Sequence, residues 1–153
     1  MSTAGNPSYR HGRLVWAYLR SSVTGKRENH PGVILDPTDE ICQPEDFDPR
    51  TRRDDNVVHV IGVSTKYRSY KLPHIRLPSA AGGHPTTRLR EDCAAIVGWY
   101  HRITIPDDVI GFGGEVPPAA MVLIDQAVRR DLSQKLGREL QTLRQVFDEL
   151  LGE

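Results

Sequence analysis

The chain has 153 residues, of which 38% are hydrophobic and 26% charged, a composition that suits one globular domain with a single modest core. No apolar run approaches the roughly 18 residues that a membrane span needs, so we expect no membrane partner. The segment MSTAGNPSYRHGR at the N-terminus lacks the apolar stretch of a signal peptide, which favours a cytoplasmic protein.

The two cysteines, Cys42 and Cys93, are too few for a disulfide framework. Neither a CxxC motif nor a pair of histidines with zinc-ligand spacing is present. We therefore expect no metal and no cofactor, with Cys93 as a buried thiol and Cys42 as a loop thiol.

The first part of the chain predicts a loose tail over residues 1–10 and then two strands. RLVWAYLR at 13–20 is rich in strand-forming residues, and PGVILD at 31–36 reads as a second strand after a polar loop at 21–29. Pro31 has no N–H, so it belongs at the start of a strand or at a sheet edge.

The middle of the chain combines a long loop with three further strands. Residues 37–56 contain three prolines without periodicity, which predicts a functional flap or a disordered loop. VVHVIGVST at 57–65 is a nearly continuous β-branched run that predicts a buried strand. HIRLPS at 74–79 predicts a short strand. The segment 93–105 predicts a further strand or a bent pair of strands, with Gly98 permitting a bulge.

A helical stripe ends the chain. Apolar residues recur every three or four positions over 118–151: Met121, Ile124, Val128, Leu132, Leu136, Leu140, Leu143, Phe147 and Leu150. Gly137 costs about 1 kcal/mol relative to alanine inside a helix and so permits two helices. One continuous helix would be roughly 50 Å long, and its second half would then fold back or project and pair. Strands followed by helices predict an α+β fold or a small barrel.

The charges are segregated although the net charge is zero. Residues 57–90 contain no acid and six bases: Lys66, Arg68, Lys71, Arg76, Arg88 and Arg90. One basic face would attract polyanions. The alternative is that both signs mix on the folded surface.

Four motifs in order resemble the PemK/MazF-like toxins of type II toxin–antitoxin systems. HGRLVWAYL is similar to the family's first strand, HPGVIL to its second and VVHVIGVSTKY to its third, and CAAIVGWYHRITIPDDVIGFGGEV is similar to its last strands and closing element. The resemblance implies an SH3-like β-barrel, mainly β, over residues 11–132, with 133–153 as a helical extension. It also implies a homodimer that cleaves single-stranded RNA without a metal and has a cognate antitoxin protein as partner.

The resemblance also implies site residues. Active toxins carry an arginine before the proline of the second strand, and this chain has His30 there. The serine/threonine pair at the end of the third strand is present as Ser64 and Thr65. Arg102 is similar to an arginine of the family's last long strand.

Metal-free RNA cleavage uses the 2′-hydroxyl as nucleophile, and it needs a base, an acid and cations at the phosphate. His30 suits the base or acid because its reference pKa is about 6.5. Arg27 or Lys26 would replace the missing arginine as phosphate clamp, and Ser64 or Thr65 would bind a phosphate oxygen. The predicted contacts to RNA are Lys26, Lys66, Arg68, Lys71, Arg102 and the stacking platform Trp16.

Ordinary structural roles compete with each of these assignments. His30, Ser64 and Thr65 can be plain loop or strand-end residues, and tryptophans are often core residues. A second hypothesis therefore keeps the barrel without cleavage, as an RNA-binding or protein-interaction module. A third makes the acidic end, DELLGE, an internal mimic of an antitoxin.

Overall fold

The fold consists of six antiparallel strands and one C-terminal helix. The computed structural model describes residues 7–21, 24–50 and 56–152. The elements are β1 (Arg13–Arg20), β2 (Arg27–Ile34), β3 (Val57–Ser64), β4 (His74–Leu77), β5 (Cys93–Thr104), β6 (Val109–Glu115) and α1 (Pro118–Leu150). The predicted α+β, mainly β fold class is confirmed.

The strand order is β4-β5-β3-β2-β1-β6. β2 begins at Arg27, earlier than the predicted position 31, because polar residues 27–30 pair with residues 17–20 of β1. The predicted start of the second strand at position 31 was therefore wrong, whereas the alternative that Pro31 lies at a sheet edge agrees with the structure. Pro31 pairs with Trp16 inside β2, but the ladder between β2 and β3 begins only at Gly32. At Pro31, β2 is therefore locally an edge strand, and no hydrogen bond of the sheet is lost because proline lacks an N–H.

The sheet bends at Gly98 and approaches closure. Gly98 has a φ of 101°, and the register between β3 and β5 shifts beside it, as the predicted bulge requires. At the far edge, the N–H groups of Gly114 and Glu115 in β6 donate to the carbonyls of Thr87 and Thr86 at 3.0 and 2.9 Å. The segment between β4 and β5 therefore attaches to β6 and draws the two edges together.

Two apolar cores lie on the two faces of the sheet. The first core includes Val15, Ala17, Ile34, Val58, Val60, Ile96, Trp99 and Ile103. The second core includes Leu14, Val33, Ile61, Val63, Leu89, Cys93 and Val97, and the first turns of α1 add Met121, Ile124 and Val128. Both faces are buried, which is why β3 reads as a continuous apolar run rather than an alternating one.

The long loop before β3 packs against the domain over its described part. It contains short 3₁₀ turns at Thr38–Glu40 and Pro44–Asp46. The Gln43 side chain accepts a hydrogen bond from the N–H of Tyr9 and donates to its carbonyl. Tyr9 is 3% exposed, so the packed part of the chain includes residues assigned to the tail. Residues 1–6, within the predicted tail, and 51–55, within the predicted loop, lie outside the described part.

Helix α1 is continuous through Gly137. Its first three turns cover the second core, whereas every described residue from Leu136 onward is exposed. Of the two alternatives, the helix projects rather than folds back. The described part of DELLGE lies in this exposed end, and Glu153 is not described. Across the described ranges, no helix has the combined length and apolarity that a membrane crossing demands.

Candidate functional site

A cavity of about 610 Å³ opens beside the N-terminal part of β2 and the end of β3. Its walls come from β1, β2, β6, the end of β3, the start of β5 and the segment between β4 and β5. The polar and aromatic side chains that border it are Trp16, Asn29, His30, Thr65, Thr87, Arg88, Arg90, Glu91 and Phe112. Two cations, one acid and the aromatic side chains of Trp16 and Phe112 around one opening suit an anionic ligand with flat bases.

The segment that carries the cavity arginines is fixed by hydrogen bonds. His84 Nδ1 accepts from the N–H groups of Thr86 and Thr87 at 3.1 and 3.3 Å. The buried Thr87 hydroxyl donates to the Pro78 carbonyl at 2.6 Å and accepts from the N–H of Leu89. Arg88 sits between these anchors in a left-handed conformation with φ of 61°. Its position is therefore set by its neighbours rather than by its own backbone preference.

Further arginines extend the positive charge away from the cavity. Arg88 also borders a second cavity of about 320 Å³, together with Arg10 and Arg13. The Arg13 guanidinium lies 4.6 Å from the centroid of the Phe112 ring. Burial, followed by the charges of Arg10 and Arg88, lowers the pKa of Arg13. Glu115 pairs with Arg10 and balances part of this charge.

Three predicted site residues border the same cavity: Trp16, His30 and Thr65. Trp16 is half-buried and Thr65 is exposed, so both can contact a bound molecule. The prediction of site residues missed Arg88 and Arg90, although both belong to the acid-free block. Arg88 and Arg90 are far along the chain from Trp16 and His30. The hydrogen bonds of Thr86 and Thr87 with β6 hold them beside the cavity.

His30 borders the cavity, but its imidazole packs on the other face of the sheet. It pairs with Ala17, which belongs to the first core, and residues directly opposite in a ladder share a face. Its ring meets the Trp99 ring edge to face, with centroids 5.0 Å apart. Its Nε2 lies 3.4 Å from a Glu28 carboxylate oxygen, close enough for charge attraction but without hydrogen-bond geometry.

A second histidine meets the same indole. The ring of His101 lies 5.1 Å from that of Trp99, again edge to face. Burial first, and the nearby charge of His30 second, lower the pKa of His101. Within the described residues, Nε2 of His30 and of His101 are both buried without a hydrogen-bond partner. Sequence reasoning found no spacing signal for His101.

The other predicted catalytic residues lie apart from the cavity lining. Ser64 is 4% exposed, and its hydroxyl accepts a hydrogen bond from the N–H of Lys66 at 3.0 Å. Arg27 and Lys26 are exposed at the hairpin between β1 and β2, where Arg27 pairs with Arg20. The structure thus brings His30 and Thr65 to one strand end but on different faces.

Asp92 balances much of the acid-free block. Its carboxylate accepts hydrogen bonds from the Tyr67 hydroxyl at 2.7 Å and from Arg76 at 2.9 Å, and it lies 3.8 Å from Arg68. These hydrogen bonds, that of Tyr67 first, lower the pKa of Asp92. Lys66 and Lys71 are exposed beside this cluster. Around Asp92, positive and negative charges are therefore mixed on the surface, rather than forming one basic face.

Arg102 is exposed and lies opposite His59 in the ladder of β3 and β5. His59 is five positions before Ser64 along β3, so at about 3.3 Å per residue Arg102 is roughly 16 Å from the end of the strand. This position separates Arg102 from the cavity that Thr65 borders.

The cavity wall includes a neutral thiol. Burial, with smaller effects of Asp92 and Glu91, raises the pKa of Cys93 to about 11. A thiol with this pKa is neither a ready nucleophile nor a ready metal ligand at neutral pH. Among the described residues, no three His, Cys, Asp or Glu side chains cluster as metal ligands.

Solved structures of similar shape identify the fold. MazF from Deinococcus radiodurans superposes with a TM-score of 0.55 at 14% identity, covering 85% of this chain and 97% of that one. The fold is MazF-like. Two MazE-MazF structures from the same organism superpose with TM-scores of 0.53 and 0.51, at 14% and 15% identity, covering 85% of this chain and 97% and 96% of theirs. No protein-family model and no curated protein matches the sequence.

The MazF-like fold confirms the resemblance that the motifs indicated, including the place of HPGVIL and VVHVIGVSTKY on neighbouring strands. At this low identity the comparison establishes the fold alone.

Proposed function

We propose that this protein is a toxin-like endoribonuclease of a toxin–antitoxin system, which binds single-stranded RNA and cleaves it without a metal. The carrying observation is the cavity in which Arg88 and Arg90 stand beside Thr65 and Trp16 on a MazF-like fold. Guanidinium forks match phosphate oxygens, and the half-buried indole of Trp16 offers a surface on which a base stacks. Both features suit a single strand rather than a duplex, whose bases are already stacked.

The proposed chemistry begins with the substrate's own 2′-hydroxyl. Its oxygen attacks the adjacent phosphorus, the bond to the 5′-oxygen of the next nucleotide breaks, and a cyclic phosphate forms. The charge on the phosphate oxygens rises in the transition state, and Arg88 and Arg90 would stabilise it. The Thr65 hydroxyl would donate a hydrogen bond to one of these oxygens.

In this proposal His30 either takes the proton of the 2′-hydroxyl or supplies the proton to the leaving 5′-oxygen, and water carries out the other transfer. Its support is that His30 belongs to the cavity lining and that its Nε2 has no hydrogen-bond partner, with a Glu28 carboxylate oxygen 3.4 Å away. Arg27 and Ser64 are kept as supporting residues at the same strand end. Lys26, Lys66, Arg68, Lys71 and Arg102 would contact the RNA backbone beyond the cleaved bond.

The proposed partners follow from the same fold. The Deinococcus radiodurans neighbours include complexes of MazF with MazE, so we include a cognate antitoxin protein as partner of this chain. A second copy of the chain completes the proposal as a homodimer in the cytoplasm.

The deciding experiment is cleavage of a long single-stranded RNA in EDTA between pH 5 and 8. Wild type should cut, and His30→Ala and Arg88→Ala/Arg90→Ala should each lower the rate at least tenfold, as loss of a proton-transfer group or phosphate clamp requires. Arg130→Ala, at an exposed position of α1, is the matched control. Wild type that neither binds nor cuts RNA at low salt would overturn the proposal.

The second candidate function is RNA binding without cleavage. It is favoured by the packing of the His30 ring against Trp99, which turns the imidazole away from the face that holds Thr65. The same experiment separates the two functions. Tight RNA binding by wild type, with no cleavage at any pH in that range, would leave a binding module.

A further inference from the structure

The second half of α1 carries an apolar stripe that covers nothing in the described structure. We name this the leucine stripe: Leu136, Leu140, Leu143, Phe147 and Leu150. Its members are 54 to 76% exposed, whereas the core-facing Met121, Ile124 and Val128 of the same helix are at most 8% exposed. An exposed row of large apolar side chains on one helix face marks an interaction surface.

The spacing within the stripe identifies the kind of partner. Successive members are separated by four, three, four and three residues, which is the a and d pattern of a heptad repeat. This pattern forms the narrow seam of a coiled coil rather than the broader face of a helix on a globular core. We infer that α1 pairs through the leucine stripe with α1 of a second copy of this chain in a parallel coiled coil.

The charges beside the seam favour a second copy in parallel orientation. With Leu140 at a and Leu143 at d, Glu139 takes position g and Arg144 takes position e. In a parallel pair, position g of one helix faces position e of the other, five residues further along. Glu139 of each copy therefore faces Arg144 of the other copy, and the two-fold symmetry makes this ion pair twice.

An antiparallel pair lacks this complementarity. The antiparallel register that sets Leu140 against Leu150, and Leu143 against Phe147, places Arg144 next to Arg144 of the other copy. Like charges at that position repel, so this antiparallel register is disfavoured.

This inference specifies how the proposed homodimer forms. It takes only the homodimer from the proposed function. Its test is the oligomeric state of the full chain without RNA, by sedimentation equilibrium. We expect wild type to dimerise and Leu143→Glu/Leu150→Glu to raise the dimer dissociation constant about a hundredfold or more, because each substitution places a charge in the seam. Gln145→Glu, at position f on the far side of the helix, should leave it unchanged.

Charge exchange tests the orientation. Glu139→Arg and Arg144→Glu should each raise the dissociation constant about fivefold, since each replaces two attractive contacts by two repulsive ones, and the double variant should restore it. Circular dichroism of each variant checks that the helix persists.

A monomeric wild type, or a dimer that survives Leu143→Glu/Leu150→Glu, overturns the inference. A double variant without recovery overturns the parallel arrangement. RNA binding is measured separately on the same variants. It tests the proposed function, whereas the oligomeric state tests this inference.

Discussion

The indole of Trp99 lies directly on the backbone of Gly62, in the space that a side chain at position 62 would fill. A Cβ there would overlap atoms of the six-membered ring. The ring is held from its other end by a hydrogen bond from Nε1 to the Arg20 carbonyl at 2.9 Å. This placement creates the surface against which His30 and His101 pack.

We therefore predict that Gly62→Ala destabilises the protein by about 1–3 kcal/mol, because the indole must leave its site or strain the strand. Urea denaturation measures the loss. In a Trp16→Phe background, tryptophan fluorescence reports the movement of Trp99 alone, since the chain has two tryptophans. Gly111→Ala is the control, because a Cβ at that position meets open space. Equal stability of the two variants would contradict the packing described here.

Arg88 and Arg90 give a prediction about salt dependence. If both bind phosphate, Arg88→Ala/Arg90→Ala should weaken binding equally for RNAs of different sequence and reduce the slope of log affinity against log salt by about one unit per arginine. Filter binding or fluorescence anisotropy over a range of salt concentrations measures the slope. Arg130→Ala should keep the wild-type slope. A variant that loses affinity for one sequence only would place these arginines at bases instead.

His101 predicts a stability change with pH. Its pKa is lowered in the folded protein from 6.5, so the unfolded state binds more protons as the pH falls below that value. The contribution of His101 is thus fully present above about pH 6.5 and is lost as the pH falls toward the lowered folded value. Wild type should lose more stability than His101→Gln between pH 7.5 and 5.5, by chemical denaturation at each pH.

The control for the pH measurement is His74→Gln, which changes an exposed ring. It should keep the wild-type loss of stability. If His101→Gln shows the same loss as this control, His101 does not account for the pH dependence.

The attachment of α1 to the sheet gives a further prediction. The Tyr100 hydroxyl donates to Asp131 at 2.7 Å, and Lys135 lies 3.0 Å from the same carboxylate. Burial alone would raise the pKa of Asp131, but the hydrogen bonds from Tyr100 and Lys135, together with the charges of Lys135 and Arg138, outweigh it and lower the pKa. Tyr100→Phe should cost about 1–2 kcal/mol of stability, because the bond joins a hydroxyl to a partly buried charge.

Urea denaturation measures this cost, with Tyr18→Phe as control, since Tyr18 is 55% exposed. Limited proteolysis of α1 provides a second measurement, because a loosened helix is cut faster. An unchanged Tyr100→Phe variant would show that apolar packing alone holds the helix.

The pattern of apolar residues along the chain predicted those strands and helices whose side chains are buried in a regular pattern. β1 was predicted with its observed bounds, and β3 and the helical segment 118–151 were each predicted to within one residue at the end. Burial of both faces makes β3 continuously apolar, and burial of one face makes the first half of α1 periodic. The start of β2 at Arg27 escaped prediction because its polar residues join the sheet through backbone hydrogen bonds, which leave no side-chain pattern.

The sequence by itself thus determined the fold class, through the order and spacing of its strand motifs, and the heptad spacing at the end of α1. Only the tertiary structure decided which residues form the cavity. Arg88 and Arg90 reach the cavity because Thr86 and Thr87 form hydrogen bonds with β6. The His30 ring lies on the opposite face of the sheet because the register of β2 on β1 pairs His30 with Ala17. The physical reason is that hydrogen bonds between distant segments set register, and a register shift of one residue exchanges the two faces of a strand.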